Sequence, residues 1–147
     1  MPLAGEIGCH HAQIFQSFLE AAVELLGADR IDHGVRAIEE PALGELLAQR
    51  RIPLGVCPIS NIALGVYPSL AEHPIDALRK AGVPVSINTD DPTLLDTTLE
   101  ASYAACAETL AWNGETIRQL AATSVNASYA DTAVKARILA DLAVWRA

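Results

Sequence analysis

The sequence has 147 residues, 51% of them hydrophobic, which excludes a disordered chain and suits a single domain over 1–147. Its net charge is −8, with ten basic residues scattered singly or in pairs such as Arg50-Arg51, so nothing forms the phosphate-tracking stripe of a nucleic-acid binder. Cys9, Cys57 and Cys106 lack any metal-type spacing and no apolar run approaches ~18 residues, so the expectation is a cytoplasmic protein with reduced thiols, no leader and no membrane contact.

Helix and strand periods alternate along the chain. Phe15, Phe18, Leu19, Ala22, Leu25 and Leu26 share one helical face, and Gly27 is a suitable stop. A short strand, RIDHG, follows. Pro41 then opens a helix with Leu43, Leu46 and Leu47 inward. Ile52 to Cys57 reads as a strand apolar enough for burial on both faces, as in a parallel sheet. The stretch ISNIALGVYPSL reads as a loop. HPIDALRKAG reads as a helix begun by Pro74 and ended by Gly82, and Val83 to Ile87 as the next strand. Three helices complete the chain, at about 98–112, 115–123 and 132–145, separated by WNG and NASYAD.

Alternating strands and helices predict an α/β fold with parallel pairing, in which ligands gather at the carboxyl ends of the strands. Along that edge the sequence offers Glu6, His33, Ser60, Asn61, Asp90 and Asp91.

Each of these residues has two readings. Asp90 and Asp91 stand before Pro92, where the pair either caps a turn or sits beside a cation that relieves its mutual repulsion. His33 is either a structural histidine or a base that orients water opposite those acids. Glu6 is a solvated loop residue, unless a closed site raises its pKa and lets it donate a proton. His10 and His11 follow Cys9, but adjacent histidines point apart, so an exposed turn is expected there. Phosphate cradles of the GxxxxGK[ST] or GxGxxG type are absent. Lys80 and Lys135 fall within predicted helices, which argues against magnesium-dependent phosphoryl transfer at the acids.

The segments AGE at 4–6, RIDHGV at 30–35, VCPISN at 56–61, EHP at 72–74 and INTDDP at 87–92 resemble those of the adenosine/adenine deaminase family in order and spacing. TTLEASY at 97–103 and NASY at 126–129 resemble its later segments. The resemblance implies a zinc-dependent (β/α)8 barrel of the TIM type that hydrolyses the 6-amino group of a purine. It implies that Asp90 is a zinc ligand, that Asp91 and Gly5 contact the substrate, that His33 orients and helps deprotonate the attacking water, and that Glu6 protonates the ring.

The family takes one Zn2+ through four protein ligands, two of them from an HxH that this sequence lacks and a third from a histidine where Leu3 stands here. A full barrel takes about 250 residues. The resemblance therefore implies the carboxyl half: the end of strand five, strands six to eight, and the terminal helices. Its implied function is deamination of a purine nucleoside or base, adenosine or adenine, as part of a complete barrel, with TTLEASY leaning towards a nucleoside. The alternative is a truncated, non-catalytic module that binds purine weakly or self-associates through open sheet edges.

Overall fold

The computed structural model describes residues 18–145, so Gly5, Glu6, His10 and His11 lie outside the described residues. Helix α1 covers residues 18–24 of that span, and Gly27, at φ 66, turns the chain out of it. Strand β1 (Ile31–Asp32) follows, then a 3-10 helix (Gly34–Glu39), α2 (Pro41–Arg50), β2 (Leu54–Val56) and α3 (Pro58–Ala63). A 3-10 turn (Leu70–Glu72), α4 (Ile75–Lys80) and β3 (Val85–Ile87) complete the alternating part. Helices α5 (Leu99–Thr109), α6 (Gly114–Ala127) and α7 (Thr132–Val144) close the chain. Among the described residues no helix is long and apolar enough to cross a membrane.

Local chemistry explains most of these boundaries. Pro41 and Pro58 occupy the first turns of α2 and α3, where a missing N–H goes unneeded. Thr98 accepts from Ala101 N at 3.1 Å and Asn113 from Thr116 N at 2.9 Å, each satisfying an orphan donor at a helix start.

The three strands are parallel in the order β1-β2-β3, with Ile31 opposite Leu54 and Leu54 opposite Val85. Because strand side chains alternate, that register puts Ile31, Leu54, Val56, Val85 and Ile87 on one face and Asp32, Gly55 and Ser86 on the other. The first face is wholly buried, in one cluster with Leu43 and Leu47 of α2, Ile75 and Leu78 of α4, and Leu120 of α6. Burying each such side chain stabilises the fold by about 1.5–3 kcal/mol. The second face is polar. A Cβ at Gly55 would meet Asp32 Oδ1 and Asn88 Nδ2. Strand β2 is buried along its whole length, as its apolar run predicts, with Gly55 on the polar side.

Two sequence expectations are corrected. In α1 the inward residues are Leu19 and Val23, four apart, while Phe18, Leu25 and Leu26 are exposed. The chain turns at Gly27, so Leu25 and Leu26 leave the helical face before it meets the core. The stretch read as a loop after Pro58 begins with α3, whose six residues are too few for a clear period.

The carboxyl-terminal helices brace the sheet. Helix α6 packs on β3, and beyond it Tyr129 Oη donates to Asp29 Oδ1 at 2.7 Å, its ring 5.2 Å from the Arg30 guanidinium. These contacts join the two outer strands.

Candidate active site

Pairing continues past the strands and carries the polar residues to one edge. His33 N donates to Gly55 O at 2.7 Å, and Asn88 N to Val56 O at 2.8 Å. Beyond these points the backbone turns sharply: His33 has φ 62 and Asp90 φ 67. His and Asp are among the few side chains that tolerate the left-handed region, at a cost of order 1 kcal/mol, and such outliers gather at functional sites.

The two turns bring together residues from opposite ends of the sheet. His33 Nε2 stands 3.9 Å from Asp90 Oδ1, with both side chains partly open to solvent. The other oxygen, Asp90 Oδ2, accepts from Ser60 Oγ at 2.7 Å. A cleft of about 650 Å³ opens at this edge, lined among others by Asp32, His33, Cys57, Asn88, Asp90 and Tyr103.

The paired acids divide the two readings between them. Asp91 Oδ1 accepts from Leu94 N at 3.0 Å, so Asp91 does cap a turn, and it is not among the residues lining the cleft. Asp90 turns the other way, to Ser60 and His33. Cys57 lines the cleft, but burial, reinforced by the carboxylates of Asp90 and Asp32, pushes its thiol up to about 11. It is a neutral thiol at pH 7, not a nucleophile or a ready metal ligand.

Behind the cleft Asn61, which the sequence offered at the strand edge, pairs with His73, which it did not single out. His73 is buried, accepts Ile75 N–H at Nδ1 over 3.2 Å, and lies 3.0 Å from Asn61 Oδ1 through Nε2. An accepting Nδ1 places the proton on Nε2, which then donates to Asn61. Desolvation by burial lowers the His73 pKa to about 4, so the ring is neutral at pH 7. The available signal was its place in EHP, immediately before a helix start.

Among the described residues no group of three or more His, Cys, Asp or Glu could hold a metal ion. Asp90 offers one carboxylate with one oxygen already engaged, so the described residues do not by themselves fit a zinc centre.

Comparison with known proteins agrees with the layout. The model of the family described as adenosine deaminase matches residues 4–145. An adenine deaminase of Streptomyces coelicolor is 38% identical over 132 residues, 88% of this chain and 39% of its own length. An aminodeoxyfutalosine deaminase of the same organism is 43% identical, over 90% of this chain and 34% of its own. The solved adenine deaminase of Arthrobacter aurescens superposes with a TM-score of 0.85 at 32% identity, covering 88% of this chain and 40% of its own. An amidohydrolase from Burkholderia ambifaria, solved with bound Zn, gives 0.77 at 27% identity, covering 87% and 36%. The described sheet and helices correspond to part of an amidohydrolase barrel, and the chain spans about two fifths of the length of these relatives.

Proposed function

The chain belongs to the adenosine deaminase family, and on that premise we propose that it is the carboxyl part of a hydrolytic 6-aminopurine deaminase. In that reaction water adds at C6, the C6–N bond breaks, and a 6-oxopurine and ammonia leave. The observation that carries the reading is the approach of His33 Nε2 to Asp90 Oδ1, 3.9 Å apart at the mouth of the cleft.

His33 acts on the attacking water, orienting it and taking its proton. Asp90 contributes a carboxylate beside it and is the one member of the family's zinc set carried here. Asp91 reads the purine by accepting from a ring N–H, which requires the exposed carboxylate to turn from Leu94 N. Glu6 donates the proton that makes C6 electrophilic, and Gly5 lies against the base. Zinc supplies an activated water when bound; the remaining donors must come from beyond the described residues. Adenine is the first substrate to test, because adenine deaminases recur among the relatives.

A second reading is a module that works only after association. Its support is the sheet: among the described residues β1 and β3 are the outer strands, and Asp32 and Asn88 of the polar face are exposed. The deciding experiment measures zinc per chain, ammonia release from adenine and adenosine, and mass in solution on the purified protein. Zinc-dependent ammonia release that is lost in Asp90→Ala supports the enzyme. A zinc-free, inactive, self-associating chain supports the module.

A further inference from the structure

We propose that Ser60 is a positioning residue for Asp90: it holds Oδ2 so that Oδ1 faces His33 and the cleft, and the buried Asn61–His73 pair holds Ser60 in turn. The proposal rests on the reading of Asp90 as a working carboxylate.

The last torsion of an aspartate is broad and nearly two-fold, so the two oxygens are interchangeable unless something distinguishes them. Here something does. Ser60 is 1% exposed, and its single hydroxyl proton goes to Oδ2 at 2.7 Å, leaving Oδ1 as the oxygen near His33. Hydrogen bonds to a carboxylate are about twice as strong as neutral ones. Asp90 is also a left-handed residue with a partly exposed side chain, and its backbone hydrogen bond to Cys57 leaves the carboxylate torsion itself unrestrained.

Ser60 lies in α3, and six residues do not make a helix that stands without tertiary support. The support converges on the next residue. Asn61 N donates to Cys57 O at 2.9 Å, and Asn61 O accepts from Val66 N at 2.8 Å. Its side-chain oxygen accepts from His73, whose other nitrogen is tied to the start of α4. Tyr67 completes the clamp edge-on to the His73 ring, with centroids 5.1 Å apart. A displacement of His73 therefore reaches Asp90 through Asn61 and Ser60, without His73 touching the cleft.

The test compares the full chain with Ser60→Ala and Ser60→Thr by NMR of protein carrying 13C-labelled aspartate, alongside adenine deamination. The wild type is expected to show an Asp90 carboxyl carbon shifted by exchange of a bonded hydroxyl proton for deuterium, and one side-chain rotamer. Ser60→Thr keeps both features. Ser60→Ala loses both, and its kcat falls about tenfold, the loss expected for one hydrogen bond, with KM little changed. An Ala variant with an unchanged Asp90 signal and rotamer overturns the proposal, as does a folded Thr variant that behaves like Ala. A wild type that shows the signature but releases no ammonia supports the Ser60 contact and overturns catalysis by this chain alone.

Discussion

His33 and Asp90 face each other across 3.9 Å from the outer strands of the sheet, and both do so from left-handed backbone, φ 62 and 67. The geometry that aims the two side chains is one that most L residues avoid, so stability and function oppose each other here.

Replacing His33 by glycine should expose that opposition. The side chain is 54% exposed, so few contacts are lost, and relief of the left-handed cost outweighs glycine's extra entropy in the unfolded chain. His33→Gly is expected to gain about 0.5–1 kcal/mol in urea unfolding. On the proposed role of His33 as general base, deamination should fall by about 10²–10⁴-fold. A destabilised Gly variant would mean that the His33 ring supports the fold.

Gly34 is required for closeness, not for its backbone angle. A Cβ there would meet Leu54 Cδ2 at 2.8 Å and Ile31 Cγ2 at 3.2 Å, and Leu54 is fully buried. Overpacking of this kind costs about 1–3 kcal/mol, so Gly34→Ala should lower the denaturant midpoint with little change in slope. An unchanged midpoint would show that Leu54 can repack.

Acid should release the His73 clamp. The folded pKa is about 4 against 6.5 in the unfolded chain, so between these values the unfolded state binds more protons and stability falls as pH falls. The contribution is complete above pH 6.5 and is lost towards pH 4, amounting to about 3 kcal/mol at most. Unfolding free energies measured across that window should slope downward with acid in the wild type and more weakly in His73→Asn. Equal slopes would remove His73 from the account.

Asp76 sets a second, lower limit. Burial raises its pKa, but hydrogen bonds from Lys80, Arg79 and Trp112 outweigh this and hold it at about 2, below its ordinary 3.8. A depressed carboxyl contributes stability above the unfolded value and loses it as pH falls through the folded one, here from 3.8 towards 2, about 2 kcal/mol in all. Asp76→Ala should cost a similar amount at pH 7 and shift the emission of Trp112, whose indole N–H donates to Asp76 at 3.0 Å. Emission that does not move would place the Trp112 contact elsewhere in solution.

Element order and the identity of the edge residues were determined by the sequence, because they depend on nearest neighbours. Proline at helix starts, glycine at 27 and 82 with φ 66 and 86, and apolar runs at 54–56 and 85–87 act within a turn or two of themselves. The motifs around His33 and Asp90 likewise marked the strand ends. Only tertiary structure decided which side of α1 meets the core, and that Asp90 and Asp91 part company, one to Ser60 and the other to a turn. It also decided the Asn61–His73–Ser60 arrangement. Those outcomes depend on contacts between residues as many as 30 positions apart, such as Ser60 and Asp90. Such contacts exist only once parallel pairing has brought the strand ends together, and local periodicity carries no record of them.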